Sequence, residues 1–138
     1  FVERSEQQLA DIQRGAYVLS AAEGKAQAVI IATGSEVALA LEAQAELAKQ
    51  GVAVNVVSMP STNVFDQQDA AYQNSVLPQG LPRVAVEAGV TDGWYKYVGL
   101  NGKVVGLDRF GESAPAEELF EFFGITTANV VAAVKSVL

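Results

Sequence analysis

Neither cysteine nor histidine occurs in this chain. Without cysteine there are no disulfides, no thiolate nucleophile and no sulfur ligand for a metal. Without histidine, the commonest general base near neutral pH and the commonest metal ligand are gone too. No apolar run approaches the length needed to cross a bilayer as a helix, and no basic, apolar, small-residue series marks a secretory signal. Positive charge is also scarce: nine Lys and Arg stand against sixteen Asp and Glu, a net charge of −7. Nucleic-acid binding rests largely on neutralising phosphates, so this balance argues against it. An acidic, cysteine-free chain fits the cytoplasm, with neither nucleic acid nor membrane as partner.

What is present suits a folded core. Half of the 138 residues are hydrophobic and 18% are charged, a globular rather than a disordered composition. The length suits one domain. The first residue is Phe1, not methionine, which fits a trimmed chain and a piece of something longer equally well. No repeat, low-complexity tract or interior domain boundary interrupts the pattern.

One stretch organises the rest. Val29-Ile30-Ile31 is a continuous apolar run, the pattern of a strand covered on both faces. Gly34 can take angles that a side chain would forbid, and Ser35 is placed to cap a helix. A strand handing directly to a helix opens a βαβ unit. The helix is expected over 35–50, with Val37, Leu41, Ala45 and Ala48 on its buried face. A strand follows over 52–59, parallel to the first because the crossover is helical. Before them, residues 1–14 are polar with a thin apolar face. Ala16–Leu19 reads as a short strand, and its short connection to the next predicts an antiparallel pair at a sheet edge. Beyond Pro60, a helix is expected over 66–76, with Ala70, Tyr72 and Val76 as contacts. A buried strand is expected over 83–87, one or two helical turns within 90–99, and a last strand over 103–107. Two helices close the chain. The first starts near Pro115 and ends at Gly124; the second is capped by Thr126 or Thr127 and buries Val130, Val131, Val134, Val137 and Leu138.

Few residues offer chemistry. Thr33-Gly34-Ser35 at a strand-to-helix junction is a candidate anion site, because N–H groups and the helix dipole converge there. It is no Walker loop or full dinucleotide fingerprint, and Glu36 beside it repels an anion, so ordinary capping is the simpler reading. Glu87, at the carboxyl end of a strand, is placed like a functional group of an open α/β sheet. It lacks a matched partner, and a hydrogen-bonded structural or interface carboxylate is the plainer role. Trp94, Tyr95, Lys96 and Tyr97 suit core anchoring or a protein contact better than base stacking. Asp66, Asp69, Glu112, Glu117, Glu118 and Glu121 show no cation-loop spacing and read as solvated acids. No catalytic set emerges.

A series of segments then resembles one family. These are Ile31-Ala32-Thr33-Gly34-Ser35-Glu36-Val37, Val57-Ser58-Met59-Pro60-Ser61, Val84-Ala85-Val86-Glu87-Ala88-Gly89, Trp94-Tyr95-Lys96-Tyr97-Val98-Gly99 and Phe110-Gly111-Glu112-Ser113-Ala114-Pro115. In this order they resemble the carboxyl-terminal domain of transketolase, and Arg14-Gly15-Ala16-Tyr17-Val18-Leu19 is similar to the segment leading into that domain in bacterial members. The resemblance implies a three-layer α/β domain over 16–138 with a five-stranded mixed sheet, mostly parallel with one antiparallel edge strand. Residues 1–15 would be the linker from a preceding domain. Complete transketolases use thiamine diphosphate with a divalent cation, magnesium or calcium, to move a two-carbon ketol unit between sugar phosphates. The cofactor lies between the first and second domains of a homodimer. The family's catalytic, cofactor-binding and phosphate-binding residues precede this segment, so none carries over: no catalytic, cofactor or metal residue is expected here. The expected partners are the preceding domains of the same enzyme. Glu87, Trp94 and Phe110 are the candidate interface, with an exposed apolar patch expected near Trp94 or Phe110. Two other readings stand beside this one: an independent small-anion module using Gly34 and Ser35, and a small hydrolase or transferase using Glu87.

Overall fold

A computed structural model of the chain describes residues 10, 12–34, 36–87, 94–99, 101–106 and 125–138. Five strands form one sheet: β1 (Tyr17–Ser20), β2 (Ala28–Ala32), β3 (Val54–Ser58), β4 (Arg83–Glu87) and β5 (Lys103–Gly106). Their spatial order is β1-β3-β2-β4-β5, with only β1–β3 antiparallel. The helices are α1 (Glu36–Lys49), α2 (Thr62–Asp66), α3 (Ala70–Val76), α4 (Tyr95–Val98) and α5 (Thr127–Val137). The helix expected from Pro115, the residue Phe110 and residues 1–9 lie outside the described residues.

β2 is central and buried throughout. Ala28, Ile30 and Ala32 face α1 and α5, while Val29 and Ile31 face the side covered by α2, α3 and α4. Strand alternation supplies this division. Each fully buried Val or Ile contributes about 1.5–3 kcal/mol of transfer free energy. The continuous apolar run therefore serves two cores at once.

The expected β1–β2 antiparallel pair is corrected: β1 pairs with β3, Tyr17 opposite Ser58 and Val18 opposite Val57. Both edges of β2 are already taken, by β3 and β4. The connection over 21–27 is instead fastened across the start of β3. Ala22 N–H donates to Asn55 Oδ1 at 2.8 Å, and Gln27 N–H donates to Ala53 O at 2.7 Å.

The face of α1 is corrected as well. Ala40, Ala43 and Leu47 are buried, Val37 and Leu41 are half-buried, and Ala45 and Ala48 are exposed. Small alanines let the helix lie close to the sheet, and Gln44 fixes its roll. Its Nε2 donates to Ser20 O and Val54 O at 3.1 and 2.9 Å, while Ser20 Oγ donates to its Oε1 at 2.8 Å. A polar anchor amid the packing side is invisible to an apolar-periodicity reading.

The single helix expected over 66–76 is two. Ser61 caps α2 by accepting from Val64 N, and Asp69 caps α3 by accepting from Tyr72 N at 2.8 Å. Gln73 Nε2 then donates to Phe65 O and Asp66 O, satisfying the last carbonyls of α2. At the carboxyl end, Thr126 caps α5; Val130, Val131 and Val134 are buried, but Leu138 is 54% exposed and off the core.

Candidate functional site

The strand order creates a switch point between β2 and β4. β2 leads into α1 on one face, whereas β4 is followed by α4 on the other. In open α/β sheets the crevice at such carboxyl ends is where ligands bind. Here Thr33, just after β2, donates its hydroxyl to Glu87 Oε2 at 2.9 Å. Glu87 closes β4 and is half-buried.

Gly34 has φ +54, the left-handed conformation its position in the turn demands. Ser35 lies outside the described residues. Glu36 N–H donates to Thr33 O at 3.1 Å and Val37 N–H to Gly34 O at 3.3 Å, so two N–H groups of the first turn are engaged locally. The Glu36 carboxylate stands over the glycine: Oε2 would lie 3.9 Å from a Cβ placed there. Two carboxylates thus frame the turn, an arrangement unfavourable to an anion. A hollow of about 260 Å³ lies beside it, lined by Ile12, Tyr17, Leu19, Gly34, Val37, Ser58 and Pro60.

A second polar cluster sits on the α2–α4 face, around a cavity of about 310 Å³. Arg83, opening β4, donates from Nη1 to Tyr97 O at 2.8 Å and from Nη2 to Leu77 O and Pro78 O at 2.8 and 3.2 Å. The guanidinium therefore sits at the carboxyl ends of both α3 and α4, where backbone dipoles favour a cation. Burial pushes its pKa down from the usual arginine value. Beside it, Asp66 accepts from Lys96 Nζ at 2.6 Å and Tyr97 OH at 2.9 Å. Burial pushes the Asp66 carboxyl up, but hydrogen bonds from Lys96 and Tyr97 and the Lys96 charge outweigh it, and the net direction is down.

Trp94 is 7% exposed and packs on Tyr97 with ring centroids 5.5 Å apart. It is a core anchor of this chain; Phe110, the other position named for an exposed patch, lies outside the described residues. Leu138 is the one exposed large hydrophobic residue among those described. The structure brings Thr33, Gly34 and Glu87 together at one end of the sheet but keeps Trp94 in the core of the α2–α4 face. Among the described residues no three acidic side chains converge as a cation site. Sequence reasoning missed Arg83 as an organiser; a charged residue at the head of an otherwise apolar strand was the available signal.

The sequence matches the model of the transketolase-like TK C-terminal domain over residues 15–126. Transketolase 1 of Escherichia coli is 61% identical over 137 residues, which are 99% of this chain and 21% of that protein. The solved transketolase from Leishmania mexicana superposes with a TM-score of 0.79 at 42% identity, covering 94% of this chain and 18% of that one. A Pichia stipitis transketolase solved in complex with sedoheptulose-7-phosphate gives a TM-score of 0.78 at 41% identity, over 99% of this chain and 20% of that one. The chain spans about a fifth of the length of the curated relatives it matches.

Proposed function

The chain belongs to the transketolase C-terminal domain family, and we propose that it serves as the noncatalytic, carboxyl-terminal assembly domain of a transketolase. One proportion carries this reading: 99% of the chain aligns at 61% identity with 21% of a complete relative. Residues 16–138 form the domain and residues 1–15 lead in from the domain before it. The parent enzyme is a cytoplasmic homodimer that moves a two-carbon ketol unit between sugar phosphates in the pentose phosphate pathway. The relative solved with sedoheptulose-7-phosphate supports that substrate class.

Thiamine diphosphate and a divalent cation supply the chemistry in that parent, and the residues of this chain do not fit them. There is no histidine to hold a cation or move a proton, and the Glu36 carboxylate beside the turn at Gly34 opposes an anion there. The role left to this chain is to pack beside the preceding domain and support the dimer.

Calorimetric titration with thiamine diphosphate and magnesium tests the reading, with inorganic phosphate in parallel. No saturable heat from the cofactor is expected. A saturable cofactor isotherm overturns the noncatalytic assignment. Phosphate binding alone, lost when Ser35 is replaced by a bulky residue, would instead favour the anion module at Gly34 and Ser35.

A further inference from the structure

We propose that Asn101-Gly102 is a site of spontaneous deamidation and isoaspartate formation, and so a built-in ageing site of this domain. The chain has five asparagines, at 55, 63, 74, 101 and 129. Asn55 lies in β3, Asn63 in α2, Asn74 in α3 and Asn129 in α5; Asn101 alone lies outside helix and strand. Three of the others precede valine and one precedes serine, whereas Asn101 precedes glycine. A following side chain crowds the backbone nitrogen that must attack; glycine leaves it open.

The local geometry favours the reaction. Asn101 is exposed in the turn between α4 and β5. The attacking nitrogen, Gly102 N, donates to Gly99 O at 3.3 Å, longer than a usual N–H···O bond and a weak restraint. The glycine is also fixed by packing. A Cβ at position 102 would collide with Val98 O and Val98 Cβ and lie 2.7 Å from Arg83 O. The labile pair cannot be relieved by giving residue 102 a side chain, because the α4–β5 corner has no space for one.

In the reaction, Gly102 N loses its proton and bonds to Asn101 Cγ. The Cγ–Nδ2 bond breaks, and ammonia leaves with the proton. Water then opens the five-membered imide. Attack at Cγ gives aspartate; attack at the main-chain carbonyl gives isoaspartate. The net change is one water in and one ammonia out. Either product adds a negative charge beside Lys103. Isoaspartate also lengthens the main chain by one methylene immediately before β5, whose first register pair is Lys103 with Val84. Among the described residues β5 pairs only with β4, so its pairing is the structure most exposed to the change.

The test is to age the folded chain in mildly alkaline buffer and follow tryptic peptides by mass, with isoaspartate read by enzymatic methyl transfer. Cleavage after Lys96 and Lys103 isolates residues 97–103. That peptide should gain the amide-to-acid mass about tenfold faster, or more, than those carrying the other four asparagines, since only glycine leaves the attacking nitrogen uncrowded. N101Q, an exposed change that spares Gly102, should abolish methyl transfer to the 97–103 peptide, and aged protein should lose hydrogen-exchange protection at Val104 and Val105. Conversion no faster than at the other asparagines overturns the proposal. So does conversion seen only in the denatured chain, or methyl transfer that persists on the 97–103 peptide of N101Q.

Discussion

The two faces of the sheet are held by different means. On one, α1 and α5, of 14 and 11 residues, press Ala, Val and Leu onto Ile30, Val56, Val84 and Val86. On the other, α2, α3 and α4 have 5, 7 and 4 residues. Helices that short have few side chains to bury and many unpaired terminal groups. That face is accordingly tied by directed bonds: Tyr72 OH to Ala16 O at 2.6 Å, Arg83 to three carbonyls, and Asp66 to Lys96 and Tyr97. Long helices are secured by area; short ones need addresses. The aliphatic face also carries polar ties, Gln44 to Ser20 and Val54 and Thr127 Oγ1 to Glu42 Oε2 at 2.8 Å, and of these Gln44 sets the roll of α1.

Four substitutions sharpen or break this contrast. The largest effect is expected from Gly15→Ala on the tied face. Gly15 has φ +91, and a Cβ there would run into Phe65 N and Ser61 O and come within 3.0 Å of Phe65 Cα. A loss of roughly 4 kcal/mol, read as a lower urea midpoint, is expected from combined strain and overlap. Leu47→Ala on the aliphatic face should cost about 3 kcal/mol by cavity formation, and a cost near zero would mean that α1 is held by Gln44 rather than by area. Arg83→Met should cost about 2 kcal/mol, because it leaves the carbonyls of Leu77, Pro78 and Tyr97 without their donor. If Arg83→Met is neutral in equilibrium unfolding, the directed bonds are ornaments of that face and the contrast fails.

Asp66→Asn should show the smallest effect, chiefly in how stability depends on pH. The Asp66 pKa is lowered in the fold, so its contribution is full above the ordinary carboxylate value and is lost as pH falls through the lowered one. The Lys96 pKa is raised by hydrogen bonds with Asp66 and Tyr97, and that of Tyr97 by burial and by its hydrogen bond to Asp66, against the opposing Lys96 charge. Those contributions are full below their ordinary values and lost as pH rises through the raised ones. Thermal melts of Asp66→Asn across pH should therefore be flatter at both the acid and the alkaline end than those of the parent chain. Unchanged curvature would show the cluster to be energetically silent.

Much of the fold was legible because strands in a covered sheet advertise themselves: Val29-Ile30-Ile31 and Val84-Ala85-Val86 are buried on both sides and uniformly apolar. The five-stranded mixed sheet with its antiparallel edge stands as expected. What was hidden depended on distant partners. The neighbour of β1 is decided by which edges of β2 are already occupied, not by the length of the connection after Ser20. The roll of α1 is decided by Gln44, whose bonds to Ser20 and Val54 carry no periodic signature. The break between α2 and α3 was written in Asp69, an acid that reads as a surface charge until its cap is seen. At the candidate site, the Thr33–Glu87 bond joins residues 54 positions apart, and no local pattern announces it. Trp94 reads equally well as anchor or interface from sequence, and the structure adds its packing against Tyr97.

The jammed glycine at position 15 has a mechanical consequence. Gly15 O accepts from Ser61 N at 3.0 Å, and the Arg14 guanidinium lies 4.6 Å from the centre of the Tyr72 ring. With Tyr72 holding Ala16 O, three successive residues are moored to α2, α3 and the turn before them. A pull arriving from residues upstream of Arg14 is shared by several bonds loaded together, instead of unzipping β1 from β3 one pair at a time. The corner before β1 behaves as a cleat.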